Sequence, residues 1–574
     1  ATLAVLLALW SRGAVYVPLD PALPRERLFA MCETASLDLI VTEPAMHGVT
    51  TRLPCALLLL EPLAFDLPAA ISTVQLSQTF TETMKGNSAI ATGATFIAPP
   101  ALALPAAYDL AYILFTSGSS GTPKGVRIAH GNLAALFTAI LPLLDLPEGC
   151  RVLGCANFAF DIAFFELLAP LLCGGTLVLA DSTECSSPLA LLQLLERERV
   201  NVVQATPSHW QLLTALPWTR GMDVAIATGE ALLRATASAV LRHSRCLWNL
   251  YGPTECTIWA SAHRVTADDL LDTAPTIVSI GRGLQGYTLT LVRDGSAGGG
   301  IPITGAADDA SITDRDSGEL VIGGKGVGLG YCGNDEASDV FERCTLTGTR
   351  AYRSGDLCRR DANGLLHYLG RRDNQVKHNG YRIELGEIEQ LLQGHMSIKR
   401  AACAVRPASG STPGLLFACV EFRPGLPNRD KTALNAYLAD HLPAWMLPQR
   451  YFFVDRLPLT ANGKLDRKAL LSLAADAALP ALAEPACVAY EAGSLDARVA
   501  GIFCEVLDIE RIGPCDSFLD MGGSSMLAAT LVLTLNERLG TGLTLRQALT
   551  TPPTVSRIVQ LLRAESRSNA ARRH

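Results

Sequence analysis

Apolar positions along residues 1–370 recur in two alternating rhythms. Leu3, Leu6, Leu7 and Trp10 fall at helical spacing, and short β-rich runs (VYVPL, LDLIVT, YILFT, GTLVLA, VNVVQA, DVAIAT) lie between further helical stretches. Strands alternating with helical segments predict an α/β domain, or a pair of subdomains with sheets between helices. The run Tyr112 to Phe115 reads as a strand, and it empties into a loop of small residues that ends at Lys124 and Gly125. From Leu471 to Ala489 the chain turns rich in Ala, Leu and Pro, the composition of a linker with weak helical character. At about Leu495 a new amphipathic pattern begins, and the chain from there reads as a small helical bundle. The end, Ala564–His574, has few apolar residues and is expected to be disordered.

Length and charge narrow this picture. At 574 residues the chain exceeds one compact domain. A net charge of −7 offers no basic face for nucleic acid, and the basic Arg572-Arg573-His574 end reads as a solvated tail. The 16 cysteines are scattered and none forms a C-x-x-C pair, so reduced thiols in a cytoplasmic protein are expected rather than a disulfide framework. The apolar stretch Ala94–Ala107 is broken by Pro99, Pro100 and Pro105, which leaves no run long enough for a membrane span. No secretory signal opens the chain. It starts at Ala1 directly on a helical pattern, which reads as a piece of something longer with its true start missing.

The loop after Tyr112–Phe115 carries the first chemistry. Gly118, Gly121 and Gly125 let the backbone turn sharply and bring its N–H groups close to a ligand. Thr116, Ser117, Ser119, Ser120 and Thr122 add hydroxyls, and Lys124 adds a mobile positive charge, a set suited to phosphate oxygens. It is not a Walker loop: counted from Gly118, Pro123 stands where the second Gly belongs and Gly125 where the Ser or Thr belongs. Near the other end, Ser525 has no His or acid close in sequence and is no self-activated nucleophile. It stands where Gly522-Gly523 ends a loop and the helical pattern Met526, Leu527, Leu531 begins. By itself that is an N-cap position. A phosphodiester attached there would meet a helix N-terminus, where negative charge is favoured.

Further motifs come in order: Asn249-Leu250-Tyr251-Gly252-Pro253-Thr254-Glu255, Gly318-Glu319-Leu320, Tyr352-Arg353-Ser354-Gly355-Asp356-Leu357, Gly370-Arg371-Arg372-Asp373-Asn374-Gln375-Val376-Lys377, Gly380-Tyr381-Arg382-Ile383-Glu384-Leu385 and Asn462-Gly463-Lys464-Leu465-Asp466-Arg467. With the 112–125 loop, they make residues 1–470 resemble a nonribosomal peptide synthetase adenylation domain of the adenylate-forming superfamily. Asp520-Met521-Gly522-Gly523-Ser524-Ser525-Met526-Leu527 resembles the attachment motif of a peptidyl carrier protein. Residues 60–108 and 291–317 match poorly and are read as variable surface segments. The resemblance implies a large α/β adenylate-forming core with mixed sheets and helices over 1–371, its N-terminus incomplete. After it come a small mobile α+β C-terminal subdomain over 372–470, a linker at 471–492, an all-α four-helix carrier bundle over 493–564 and a tail at 565–574.

The same resemblance implies ATP, Mg²⁺ and a 4′-phosphopantetheine on Ser525 as cofactors. Thr116, Ser117, Gly118, Ser119, Gly121 and Lys124 would hold the β- and γ-phosphates, and Glu255 would place the metal. Tyr251 would stack on adenine and Asn249 would meet its polar edge, with Gly252 and Thr254 completing that motif. Asp356 and Arg371 would hold the ribose, with Tyr368 packed nearby. Lys464 would carry the first half-reaction by contacting both the carboxylate and the α-phosphate, and Asp373 would be the hinge about which the subdomain turns. His378-Asn379 departs from the family's isoleucine-arginine, which puts its thioester-stage contacts in doubt.

By the same carry-over Asp161 would pair an α-ammonium group, and Ile162, Phe165, Gln204, Ile226, Thr228, Leu250, Ile258 and Trp259 would shape the rest of the pocket. Phe165, Ile258 and Trp259 are bulky, which leaves little room. No second acid or arginine stands among these positions to pair a charged side chain, which would be costly to bury alone. The set is nearest to glycine patterns; Gln204 and Thr228 could instead bond a small polar side chain such as that of serine or cysteine, and alanine would also fit. A phosphopantetheinyl transferase and neighbouring condensation or other synthetase domains are the implied partners. An acyl-CoA ligase and an inactive binding scaffold are the alternatives. Asp161 and the attached carrier motif argue against the first, and the presence of Lys464, Glu255, Asp356 and Ser525 against the second.

Overall fold

The computed structural model describes residues 2–43, 46, 50, 53–59, 105–118, 123–292, 317–333, 340–343, 349–373, 375–378, 380–406, 414–423, 431–458, 465–476, 490–491, 493–507, 509, 511–514, 516, 518, 525–543 and 553–571. The expected tail is therefore described as far as residue 571, where it continues the helix Val555–Ala571.

Two short strands, β1 (Leu39–Thr42) and β2 (Ala56–Leu59), pair in parallel near the start. The apolar run read as a strand is β3 (Leu110–Thr116), which pairs antiparallel with β4 (Lys124–Ala129) across the small-residue loop. The centre of the molecule is a seven-stranded sheet made of β5 (Arg151–Gly154), β6 (Thr176–Leu179), β7 (Val202–Ala205), β8 (Met222–Thr228), β9 (Ser244–Tyr251), β10 (Ser261–Arg264) and β11 (Arg282–Gly283). Its order is β11-β10-β9-β8-β7-β5-β6. Strands β5 to β9 run parallel, joined by the helices Ile162–Leu172, Pro188–Arg197, Pro207–Thr214 and Arg234–Leu241. Burial on both faces explains why these strands read as near-continuous apolar runs.

The parallel order reverses between β5, whose other neighbour is β6, and β7. Crevices at such switch points, outside the carboxyl ends of the strands, are where open α/β sheets bind ligands. Two cores flank the sheet. One joins Tyr112, Phe164, Phe165, Leu250 and Trp259, and the other centres on Trp210, Leu191, Leu195 and Leu213.

A largely antiparallel sheet of β12 (Tyr287–Val292), β13 (Ser317–Gly324), β15 (Phe341–Arg343), β16 (Arg350–Arg360) and β17 (Leu366–Arg371) packs alongside, and β14 (Gly330–Tyr331) extends the β3–β4 pair. The hairpin β18 (Gln375–His378) and β19 (Tyr381–Glu384) comes next. The sheet after it is β20 (Ile398–Arg406), β21 (Leu415–Phe422) and β22 (Arg450–Val454), with the helices Leu385–Gly394 and Lys431–Ala439 sharing its core. At the end, the helices Leu495–Leu507, Ser525–Leu539 and Val555–Ala571 close on Phe503, Phe518, Leu531 and Ile558. The class is thus the expected one: a mixed α/β core, a smaller α+β unit and a helical bundle. Every described cysteine is a free thiol.

Trp210 is fully buried and its indole N–H donates to the Ile226 carbonyl at 2.9 Å, which ties the helix Pro207–Thr214 to β8 beneath the crevice. Trp210→Ala should cost about 3–5 kcal/mol, read from the urea midpoint of the large unit. A loss below about 1 kcal/mol would show that this core does not support the crevice floor.

Candidate active site

A cavity of about 830 Å³ opens at the carboxyl ends of β5, β7, β8 and β9, within the range of small-molecule sites. Its wall includes Thr116 and Ser117 from the small-residue loop, Asp161 and Ile162 from the start of the helix after β5, and Gln204 and Thr228 from β7 and β8. Gly252, Thr254 and Ile258 come from the segment after β9, and Asp356 and Arg371 from β16 and β17. Eleven positions singled out in the sequence therefore converge from seven separate segments, which is what a binding crevice at a switch point requires.

Asp356 is held from two sides. The Tyr251 hydroxyl donates to one of its oxygens, and the Arg371 guanidinium to the other at 2.9 Å. Arg371 also donates to the Ser354 carbonyl and makes two bonds to Asp373, at 2.7 and 2.6 Å. Burial opposes the Asp373 charge, but Arg371 outweighs it and keeps that carboxyl below the usual range. Asp373 itself is exposed between β17 and β18 and accepts from the Gln375 N–H. Tyr368 lies half-buried against the large core, with its phenol raised by burial.

Glu255 is fully buried in the short turn after β9. The Arg382 guanidinium donates to its two oxygens at 3.2 and 2.9 Å, and the Tyr331 hydroxyl to one of them at 2.8 Å. Burial raises the Glu255 carboxyl, yet Arg382 and these hydrogen bonds together hold it below its ordinary value. Gly252 is obligatory here, because a Cβ would stand 2.5 Å from the Ile258 carbonyl and the Trp259 Cα. Thr257 and Ile258 both adopt left-handed backbone, at φ 60° and 65°. That is costly for β-branched residues and turns this segment back under the cavity.

The remaining pocket positions divide into wall and backing. Asp161 is half-buried and its carboxyl is pushed up by burial, with the Thr254 hydroxyl pulling the other way. Phe165, Ile226, Leu250 and Trp259 are buried behind the wall rather than on it. Phe165 meets Trp259 at 4.9 Å between ring centroids, and the Trp259 indole donates to the Thr228 hydroxyl at 2.8 Å. Asn249 is buried and gives its amide to the Ser279 and Val278 carbonyls, away from the cavity. Lys124 begins β4 with its ammonium 5.4 Å from the Tyr331 ring centroid, and Gly118 ends the described part of the loop. Ser119, Gly121 and Lys464 lie outside the described residues. Ser525 opens the helix Ser525–Leu539, its side chain outside the described set.

One expectation is corrected. A second acid does face the pocket: Glu166, 2% exposed, one helical turn after Ile162 on the same face. One carboxylate oxygen accepts from the Cys155 and Ala156 N–H groups at 2.8 Å each, and the other pairs with the Gln204 amide at 3.1 Å. Burial lifts this carboxyl to about 8, against those three hydrogen bonds. Its uncharged form is thereby favoured, so the cavity gains a polar group whose charge is opposed by burial. The Gln204 side-chain oxygen has no partner in this arrangement. A proton on Glu166 would supply one once the carboxamide is turned about its last bond.

Sequence reasoning also missed what the β18–β19 hairpin brings. Lys377 reaches over the Tyr251 ring, 5.7 Å from its centroid, on the cavity wall. Lys377 is exposed within the cleft, where the surrounding protein lowers its pKa and Asp356 partly restores it. His378 is buried on the same wall and held neutral, its pKa pulled down to about 4 by burial. The alternation of the hairpin could have pointed to Lys377, since Gln375 and Lys377 share one face.

Comparison with known proteins agrees with this geometry. The AMP-binding enzyme family matches residues 1–332, the AMP-binding enzyme C-terminal domain 387–464 and the phosphopantetheine attachment site 497–562. Phosphinothricin tripeptide synthetase PhsC of Streptomyces viridochromogenes is 34% identical over 98% of this chain, which spans 47% of that protein. The chain spans less than half of the curated relatives it matches. The structure of holo-PA1221, a protein with adenylation and PCP domains bound to a vinylsulfonamide inhibitor, aligns with TM-score 0.73 and 27% identity over 98% of this chain and 86% of that one. Holo-AB3403, a four-domain nonribosomal peptide synthetase bound to AMP and glycine, aligns with TM-score 0.52 and 30% identity over 98% of this chain and 38% of that one. No described helix is long and apolar enough to cross a membrane. The chain belongs to the AMP-binding enzymes, as an ATP-dependent adenylate-forming domain followed by a phosphopantetheine carrier domain of the nonribosomal peptide synthetase kind.

Proposed function

We propose that this chain activates a small α-amino acid as its aminoacyl-AMP and loads it as a thioester on the phosphopantetheine of its own carrier at Ser525. The observation that supports this reading is a single cavity that joins Asp161, with Gln204 and Thr228 beyond it, to Asp356 and Arg371. In this reading the cavity takes an ammonium group at Asp161 and a ribose at Asp356 and Arg371. In the first step the substrate carboxylate attacks the α-phosphorus of ATP, and the bond to pyrophosphate breaks. Lys464 carries that step by neutralising charge on the carboxylate and the α-phosphate. For the second step, a phosphopantetheine held on Ser525 would supply the thiol that receives the aminoacyl group, with AMP as the leaving group.

Thr116, Ser117, Gly118, Ser119, Gly121 and Lys124 are assigned to the β- and γ-phosphates, Tyr251 and Asn249 to the adenine side, and Asp373 to the hinge. Glu255 would hold Mg²⁺ as a single-carboxylate site only where the Arg382 guanidinium that now spans its oxygens gives way. The ion usually takes one or two carboxylates plus phosphate oxygens, and no cluster of three or more His, Cys, Asp or Glu suited to a metal occurs among the described residues. When bound, the metal would neutralise phosphate charge.

The domain boundaries read from the sequence, 1–371, 372–470 and 493–564, belong to this reading. So do neighbouring synthetase domains and a transferase that adds the phosphopantetheine. Glycine is favoured, since Ile258 lines the pocket with Phe165 and Trp259 packed behind its wall, and AB3403 carries glycine with AMP. Serine, cysteine or alanine would also fit.

Lys464→Ala should lower amino-acid-dependent pyrophosphate exchange by about 100-fold or more while ATP still binds by calorimetry; undiminished exchange would refute the mechanism. Ser525→Ala should keep the exchange and abolish covalent aminoacylation of the protein, followed by intact mass. Continued loading would place the thioester elsewhere.

A third prediction concerns Glu166. Its carboxyl titrates at about 8 when folded, against an ordinary value of 4.5. Its neutral form therefore stabilises the fold fully below about pH 4.5, and that stability is lost as pH rises through about 8. Between pH 6 and 9 the wild-type urea midpoint should fall relative to that of Glu166→Gln. Parallel profiles would mean that Glu166 is already ionised at pH 6.

A further inference from the structure

Glu166 is a buried acid that the two half-reactions leave unused. It lies 2% exposed on the cavity wall, and its two oxygens have separate partners. Oε2 accepts from the Cys155 and Ala156 N–H groups at 2.8 Å each, which ties the segment after β5 to the helix Ile162–Leu172. Oε1 faces the Gln204 carboxamide, 3.1 Å from its Nε2.

Gln204 is 1% exposed on β7, and it too lines the cavity. Its Nε2 lies between two acceptors, Glu166 Oε1 and the Ile162 carbonyl at 3.4 Å, while its own Oε1 meets no donor. Thr228, on the neighbouring strand, receives the Trp259 indole N–H at 2.8 Å and makes no bond to that oxygen. With a proton on Glu166 the carboxamide would turn about its last bond, which pairs the oxygen and leaves the nitrogen bare instead. In either arrangement Glu166 holds one side of the carboxamide, and one polar atom on the other side lacks a partner. A buried polar atom left so is costly, and a ligand that brings a partner relieves the cost.

The geometry points to Glu166 as a positioning residue that clamps Gln204 with one polar atom turned to the substrate side chain, so that the pocket selects a hydroxyl over a methyl of the same size. This rests on the reading of the cavity as an amino-acid site, and it names the feature that site reads. A hydroxyl can donate to the Gln204 oxygen or accept from its nitrogen, so serine suits both arrangements. Glycine leaves the place to a water. An ethyl side chain excludes the water and leaves the atom bare.

The test compares kcat/KM for serine and for 2-aminobutyrate, in which a methyl replaces the hydroxyl, in pyrophosphate exchange by the full chain. Wild type should favour serine about tenfold or more. Gln204→Met removes the polar atom and should bring the ratio near one. Glu166→Ala, where waters can take the two backbone N–H groups, should do the same, because the carboxamide is no longer held. Glu166→Gln keeps an acceptor for those N–H groups and a donor for the Gln204 oxygen, and should keep the preference within about threefold. A role of Glu166 in structure alone would lower both substrates alike and leave the ratio of Glu166→Ala intact, which would overturn the proposal. Should Glu166→Ala fail to fold, Gln204→Asn draws the carboxamide one methylene back from an untouched Glu166. A ratio near one is expected there, and an undiminished one would overturn the proposal. Exchange with glycine but no preference for serine over 2-aminobutyrate in wild type would overturn it while the amino-acid reading stands. Exchange with no amino acid would remove that reading and the proposal with it.

Discussion

Buried carboxylates are the constraint on which this site depends. Glu255, Asp356 and Glu166 all sit at the carboxyl ends of the parallel strands or against them, with almost no exposure. A charge there must be paired or given up. Each is handled differently: Glu255 by an arginine from another unit, Asp356 by Arg371 and a tyrosine hydroxyl, and Glu166 by a proton. Because the partners come from distant segments, satisfying the charges also assembles the cleft.

The same constraint explains why the small unit matters to a site built mostly by the large one. The hairpin carries Lys377 and Arg382 on a short, twisted pair of strands, and its Gly380 can approach the Thr206 side chain where a larger residue could not. Tyr381 stacks on Trp445 at 4.6 Å and meets Phe160 edge-on at 5.3 Å, so the docked position also buries aromatic surface. Charge and packing therefore favour the same arrangement.

Much of the fold could be read from the chain. Tyr112–Phe115 and DVAIAT read as strands because their apolar side chains are buried on both faces, and the late amphipathic pattern is a helical bundle. Local spacing also excluded a Walker loop. The cavity-lining residues were legible where a motif fixed them, as with Asp161, Asp356 and Arg371. What the chain could not reveal was pairing across it. Nothing near Arg382 in sequence indicates that it meets Glu255, 127 residues away. Phe165 and Trp259 read as pocket walls, and they lie one layer behind, packed on each other at 4.9 Å. Glu166 was within reach, since it comes one helical turn after Ile162, but its neutral state depends on burial that no spacing reports.

The part of the cavity beside Asp161, proposed to feed an amino-acid carboxylate to ATP, is the centre of the proposed chemistry. The most direct measurement is amino-acid-dependent exchange of pyrophosphate into ATP, run across all the common amino acids on the intact chain. A strong signal confined to glycine or another small residue such as serine, cysteine or alanine is the expected result. A signal only for a large side chain would contradict the pocket, and silence throughout with ATP still bound would contradict amino-acid activation itself.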